Sequence, residues 1–307
     1  MTLQEIYEDF EEKNRVAEAG GGEKAVEKQK EAGKLTARER INILLDDSTF
    51  VEIDKLVLHE THQYNMQNKR IPGDGVVCGY GKIDGRLVYV YAYDFTVFGG
   101  SLGRSNANKI VKVQKLALKN GAPVIALNDS GGARIQEGVT ALSGYSDIFY
   151  QNIKSSGVVP QISAILGPCA GGACYSPALT DFIFMVKEKS YMFVTGPDVV
   201  KTVTHETLTK EELGGAGVHS VKSGVAHFVS ANDEACIQEI KRLISLLPSN
   251  NLETSPLVET NDDLNRVEEK LNDIVPENPN KAYDVKEIIQ TIADNNDFLE
   301  TQPYYAK

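Results

Sequence analysis

Two short runs in this 307-residue sequence could do chemistry with their backbone alone: Asn128-Asp-Ser-Gly-Gly-Ala133 and Gly167-Pro-Cys-Ala-Gly-Gly-Ala173. Each follows a short apolar run, Pro123–Leu127 or Pro160–Leu166, that reads as a buried strand, and each precedes a helical pattern. The carboxyl ends of parallel strands are where open α/β sheets bind ligands. Glycine and alanine remove side-chain bulk there, so an oxygen can approach the main chain closely. The first N–H groups of a helix lack internal partners and carry the positive end of its dipole. Gly131, Gly132 and Ala133, with Gly171, Gly172 and Ala173, are therefore candidate donors to a developing oxyanion. Such donors act at about 2.7–3.1 Å and are each worth roughly 3–4 kcal/mol of barrier. Gly132 and Gly172 lie 40 residues apart, close to one strand–helix repeat, so both can face one crevice.

These residues admit other readings. Gly-Gly-Ala after a strand also permits close helix–sheet packing with no chemistry at all. Arg134, Gln136 and Glu137 follow the first turn and could reach the site. Glu137 is the one tempting general base, and a carboxylate favouring a helix start is the competing role. Asp129-Ser-Gly-Gly132 resembles the serine-nucleophile turn of chymotrypsin-like proteases, with His205 or His219 as conceivable bases for Ser130. That context is a disulfide-bearing β-barrel, whereas this segment lies between a strand and a helix, and no GxSxG elbow occurs. Phe98-Gly-Gly-Ser-Leu-Gly103 fits neither GxGxxG nor a P-loop, but it could cradle a pyrophosphate at the start of the helix beyond Arg104.

Strands alternating with helices must hold these turns. Val76–Ile83 and Arg86–Tyr93, separated by Asp84-Gly85, read as a hairpin. A helix is expected from Ser105 to Lys119, another from Ala133 to about Lys154, and a third from Ala173 through Leu179. Phe182–Val186, Tyr191–Val194 and Val225–Val229 are further strands, and a helix from about Asn232 to Leu246 closes the domain. This alternation implies parallel pairing. Residues 1–48 read as a charged helical arm, with Thr36 and Glu39 forming a capping box. Residues 49–247 form the domain. Residues 248–307 form an acidic, proline-punctuated linker with a short helix from Asp284 to Ala293.

The net charge of −11 is concentrated in that linker: residues 251–300 hold thirteen acidic and four basic side chains. No basic stripe of the kind nucleic acid requires is present. Cys78, Cys169, Cys174 and Cys236 lack CxxC spacing, which argues for structural thiols and no metal site. The opening residues are too charged for a secretory signal. The charge-free stretch Ser155–Thr180 contains three prolines and suits a strand and turn better than a membrane span. A cytoplasmic protein is expected.

Three motifs carry a resemblance: Thr96-Val-Phe-Gly-Gly-Ser-Leu-Gly103, Asn128-Asp-Ser-Gly-Gly-Ala-Arg-Ile-Gln-Glu-Gly138 and Gly167-Pro-Cys-Ala-Gly-Gly-Ala-Cys-Tyr-Ser-Pro-Ala-Leu-Thr-Asp181. The sequence resembles the carboxyltransferases of biotin-dependent acyl-CoA carboxylases, the family of the propionyl-CoA carboxylase β subunit and the methylmalonyl-CoA decarboxylase α subunit. The likeness runs from the first helix to the last residue.

It implies a crotonase-like (ClpP/crotonase) ββα superhelix and an amino-terminal half that binds the coenzyme A ester. Gly132, Ala133, Gly172 and Ala173 would donate to thioester and carboxylate oxygens, and Phe98, Gly99, Gly100 and Ser101 would lie along the CoA. The implied reaction moves a carboxyl group between carboxybiotin, on a partner carrier protein, and propionyl-CoA or methylmalonyl-CoA. Because the cofactor supplies the base, the shortage of side-chain bases follows. A sodium-pumping decarboxylase α subunit acting on methylmalonyl-CoA or glutaconyl-CoA is the alternative. Implied partners are the biotin carboxyl carrier with a biotin carboxylase or membrane decarboxylase subunit, and further copies of the chain. Family members run to about twice this length, the remainder being a biotin-binding domain, so weak acyl-CoA binding and no transfer are expected of these residues alone.

Overall fold

A computed structural model describes residues 2–263 and 265–306; Met1, Leu264 and Lys307, which fall in the expected arm and linker, lie outside the described residues. Three helices come first, α1 (Leu3–Glu18), α2 (Glu23–Glu31) and α3 (Ala37–Leu44), followed by β1 (Val51–Glu52). The body then runs β2 (Val76–Ile83), β3 (Arg86–Tyr93), α4 (Arg104–Asn120), β4 (Val124–Ser130), α5 (Val139–Ser155), β5 (Gln161–Ala170) and α6 (Tyr175–Ala178). It ends with β6 (Phe182–Val186), β7 (Tyr191–Phe193), α7 (Pro197–Thr204), α8 (Lys210–Gly214), α9 (Ala216–Val221), β8 (Phe228–Ser230) and α10 (Asp233–Leu246).

The expected hairpin forms with its predicted ends, and Asp84 and Gly85 adopt φ of +49° and +75°, as a tight primed turn requires. From β3 onward every pairing is parallel, giving the order β1-β2-β3-β4-β5-β6-β8 with β7 also on β5. The interior strands are buried along their length, so they read as continuous apolar runs rather than alternating ones. The charge-free stretch from Ser155 becomes β5 and the turn after it. Among the described residues no helix is long and apolar enough to cross a membrane.

Two helix starts differ from expectation. Past the first glycine turn the chain makes a 3-10 turn at Ile135–Glu137, and α5 begins only at Val139. Past the second, a 3-10 turn at Gly171–Cys174 leads into a single helical turn. The backbone dipoles at both sites are therefore those of one short turn, far weaker than a long helix would supply. What the second site retains is the unpaired N–H groups of its turn's first residues.

A buried charge cluster fixes the register of β4 against β5. The pairing Asn128↔Ile165 is followed by Ser130↔Cys169, so β5 bulges by two residues. The Asp129 carboxylate occupies that bulge: a Cβ on Gly167 would lie 2.0 Å from its Oδ1. Lys34 Nζ donates to both its oxygens at 2.9 Å, Arg40 to Oδ2 at 3.0 Å and Gln29 to Oδ2 at 2.9 Å. Arg40 also donates to Asp233 at 2.8 Å and to the Leu166 carbonyl at 2.9 Å. Burial pulls Lys34 below its usual range despite Asp129. It also works against Arg40, but Asp129 and Asp233 outweigh it and hold that guanidinium above its ordinary value. The capping box at Thr36 forms in both directions, and Arg40, Ile41 and Leu44 of α3 are wholly buried. Residues 29–45 of the expected arm are thus built into this body.

One compact unit runs to Ser255 and resumes at Gln302, and a second is Pro256–Thr301. The second holds α11 (Leu271–Ile274) and α12 (Val285–Ile292), the latter capped by Asp284.

Removing one member of a buried, hydrogen-bonded charge cluster strands the others. Arg40→Met leaves Asp129 and Asp233 short of a cation and should cost about 3–5 kcal/mol. Urea unfolding at neutral pH checks this; a midpoint unchanged from wild type would show that the cluster does not hold the fold.

Candidate functional site

The two glycine turns are neighbours because β4 and β5 are. Ser130 pairs with Cys169, and Gly132, at φ +106°, sits so close to the second turn that a Cβ would lie 2.8 Å from the Ala170 carbonyl oxygen. No L-residue fits there, for reasons of both conformation and space.

The loop carrying Phe98–Ser101 is laced onto the first turn. Gly131 N–H donates to Gly99 O at 3.0 Å, Leu102 N–H to Gly132 O at 2.9 Å, and Arg134 N–H to Leu102 O at 2.8 Å. Gly132 N–H donates to Ser130 Oγ at 3.1 Å. Gly131 and Gly132 therefore spend their amides within the protein. Ala133, half-buried and on the outer side of its bridge to Leu102, has an N–H with no acceptor among the described residues. In the second turn Gly172 is half-buried and lies ahead of the first bonds that the 3-10 turn closes, while Ala173 is buried. Of the four candidates Gly132, Ala133, Gly172 and Ala173, the available donors are the amides of Ala133 and Gly172.

Side chains not anticipated in detail brace the loop. Arg134 is fully buried, with ion pairs to Asp74 at 2.6 Å and Glu137 at 3.0 Å. It also donates to Ser101 O at 3.0 Å and lies 4.9 Å from the Phe98 ring centre. That grip holds Phe98 at φ +51° and Gly100 at φ +62°, the latter in a place where a Cβ would be 2.2 Å from Asp129 O. Burial raises the Asp74 carboxyl above its usual range in spite of Arg134. Glu137 accepts from Arg104 N–H at 2.7 Å, so its carboxylate caps α4 rather than the helix that follows its own turn. Ser130 is buried, His219 is engaged by Met192 O and Ser223 Oγ, and His205 is exposed on α7's end, so no nucleophile–base pair assembles. Arg134 and Glu137 were visible as polar residues beside the turn; Asp74, flanked by Gly73 and Gly75, gave no signal except that spacing.

A cavity of about 460 Å³ opens beside Gly99 and Pro168, which flank the two turns, and is lined also by Lys28, Lys34, Phe95 and Lys189. Gly131 and Gly171 leave their turns open on the outer side, the nearest atoms to an added Cβ being 3.5 and 3.9 Å away.

Comparisons with known proteins follow this geometry. The profile of the carboxyl transferase domain matches residues 28–307. A methylmalonyl-CoA decarboxylase subunit alpha from Veillonella parvula is 57% identical over 305 residues, covering 99% of this chain and 60% of the relative. A propionyl-CoA carboxylase beta chain from Cereibacter sphaeroides is 56% identical over 304 residues, covering 99% and 60%. The crystal structure of the transcarboxylase 12S hexamer with methylmalonyl-CoA and methylmalonic acid bound superposes with a TM-score of 0.97 at 49% identity, covering 100% of this chain and 59% of that one. The chain thus spans about 60% of the length of the curated relatives it matches.

Gly172 should tolerate no side chain, since its Cβ would lie 2.9 Å from the Tyr145 ring. Gly172→Ala is expected to cost about 1–3 kcal/mol through overpacking. It should also weaken binding of a thioester more than binding of a ligand without the carbonyl. Calorimetry with both ligands measures this; equal losses for the two would detach the turn from the carbonyl.

Proposed function

This chain belongs to the carboxyl transferase domain family, and from that premise we propose that it holds an acyl-CoA thioester for carboxyl transfer. The carrying observation is the pair of unspent amides, Ala133 and Gly172, on adjacent glycine turns. Two N–H donors suit one thioester oxygen, and they bind it more strongly as it gains charge in the enolate. Lys28 and Lys189 around the neighbouring cavity suit the phosphates of CoA, Lys as a point charge. Phe98–Ser101 would wall the CoA on the same side, although their backbone also secures the first turn. Carboxybiotin on a partner carrier protein would supply the carboxyl group when bound. The open outer sides of Gly131 and Gly171 fit the approach of such a carried ring.

Propionyl-CoA or methylmalonyl-CoA is the proposed substrate, in keeping with the names of the relatives and with methylmalonyl-CoA bound in the 12S structure. Assembly with further copies and with a biotin carrier is part of the same proposal. It is supported by exposed apolar side chains beside the first turn and on α5, Ile135 at 83%, Val139 at 76% and Ile153 at 63%. The match to a decarboxylase α subunit favours a second reading, the same half-reaction run as decarboxylation beside a membrane subunit. Neighbouring genes encoding a biotin carboxylase or a membrane protein decide between the two.

The test is titration calorimetry of the chain with propionyl-CoA and with free CoA. Heat should appear for both, with tighter binding of the thioester. Equal affinity would remove the amides from the mechanism, and silence for both at millimolar ligand would remove the acyl-CoA site.

A further inference from the structure

Tyr145 lies on α5 directly after Gly144, whose added Cβ would come within 2.7 Å of the Ala107 Cβ on α4. That close approach of the two helices seats Tyr145 beneath both glycine turns. Its ring faces the second: Cδ2 and Cε2 are each 2.9 Å from where a Gly172 Cβ would be. The ring is backed in turn by Phe149, stacked at 5.9 Å. Its hydroxyl reaches the first turn, lying beside the Ser130 hydroxyl. Ser130 Oγ is the acceptor for Gly132 N–H at 3.1 Å.

The hydroxyl is buried and lies within bonding reach of the Ser130 hydroxyl, but it makes no hydrogen bond of full geometry. Burial raises its pKa, so it keeps its proton and remains a donor. A hydroxyl oxygen offers two lone pairs, and Ser130 uses one of them on Gly132. The other can accept from the Tyr145 hydroxyl. A buried polar group without a full hydrogen bond calls for an explanation, and a role in function is one.

We infer that Tyr145 is a positioning residue serving both turns at once. Its ring sets the Gly172 amide, and its hydroxyl, donating to Ser130 when the thioester binds, sets Gly132 and through it the Ala133 amide. No other side-chain type does both. Phenylalanine would keep the ring and lose the donor, and a smaller residue would lose the floor under Gly172. This rests on the reading that the two turns hold a thioester oxygen.

The chain is titrated with propionyl-CoA labelled with ¹³C at the thioester carbonyl, followed by calorimetry and isotope-edited infrared spectroscopy. In wild type the carbonyl band should move to lower wavenumber on binding, since the amides polarise it. Tyr145→Phe should melt at or above the wild-type temperature, because the hydroxyl it removes makes no hydrogen bond of full geometry. It should bind roughly three- to tenfold more weakly, one hydrogen bond's worth. Its carbonyl band should return towards the solution position. Tyr150→Phe, on the exposed side of the same helix, should change none of these. A Tyr145→Phe chain with wild-type affinity and band position overturns the inference and leaves the acyl-CoA reading standing. A lowered melting temperature also overturns it, by showing the hydroxyl already bonded without ligand. A wild-type chain that binds no propionyl-CoA overturns both.

Discussion

The Asp129 carboxylate, wholly buried between β4 and β5, is the constraint from which the rest of the body follows. Taking a carboxylate out of water costs several kcal/mol unless cations and donors surround it. Lys34, Arg40 and Gln29 supply them, which obliges residues 29–40 to pack on the sheet. Arg40 extends the tie to Asp233 at the start of α10 and to the Leu166 carbonyl. One side chain thereby links the amino-terminal helices, both turn-bearing strands and the closing helix.

The same carboxylate makes the bulge in β5, since Gly167 can pass it only without a side chain. The bulge lifts the end of β5 so that Ala170 stands beside Gly132. Without that offset the two turns would rise from unrelated levels of the sheet. Stability and site geometry thus share one cause, and the ion cluster's worth lies more in placing the turns than in net stabilisation, which buried charges rarely provide.

Around the turns the protein chooses backbone over side chain. The Phe98–Leu102 segment occupies the amides of Gly131 and Arg134, and Ser130 occupies that of Gly132, leaving Ala133 without an acceptor. Arg134, Asp74 and Glu137 are spent on holding this lattice of bonds. Donors fixed in this way need no reorganisation as charge develops, which is the condition under which an oxyanion hole is effective.

The residues alone were enough to specify the hairpin at Asp84-Gly85, the parallel strand–helix alternation, the capping box at Thr36 and the two glycine turns. Each of these depends on neighbours a few positions away, through turn chemistry, apolar periodicity or a cap, and such local terms are written in the sequence itself. The late starts of the helices after the turns, the occupation of Gly131 and Gly132, and the partnership of Arg40 with Asp129 and Asp233 were decided by the tertiary structure. Apart from Gly132, whose amide meets Ser130 two residues away, these depend on groups 30 to nearly 200 residues apart in the chain, as with Arg134 and Ser101 or Arg40 and Asp233. Which amide stays free is settled only when a distant carbonyl either reaches it or does not. No spacing along the chain encodes that outcome, because it is set by how the strands stack and where a buried charge forces one of them to bulge.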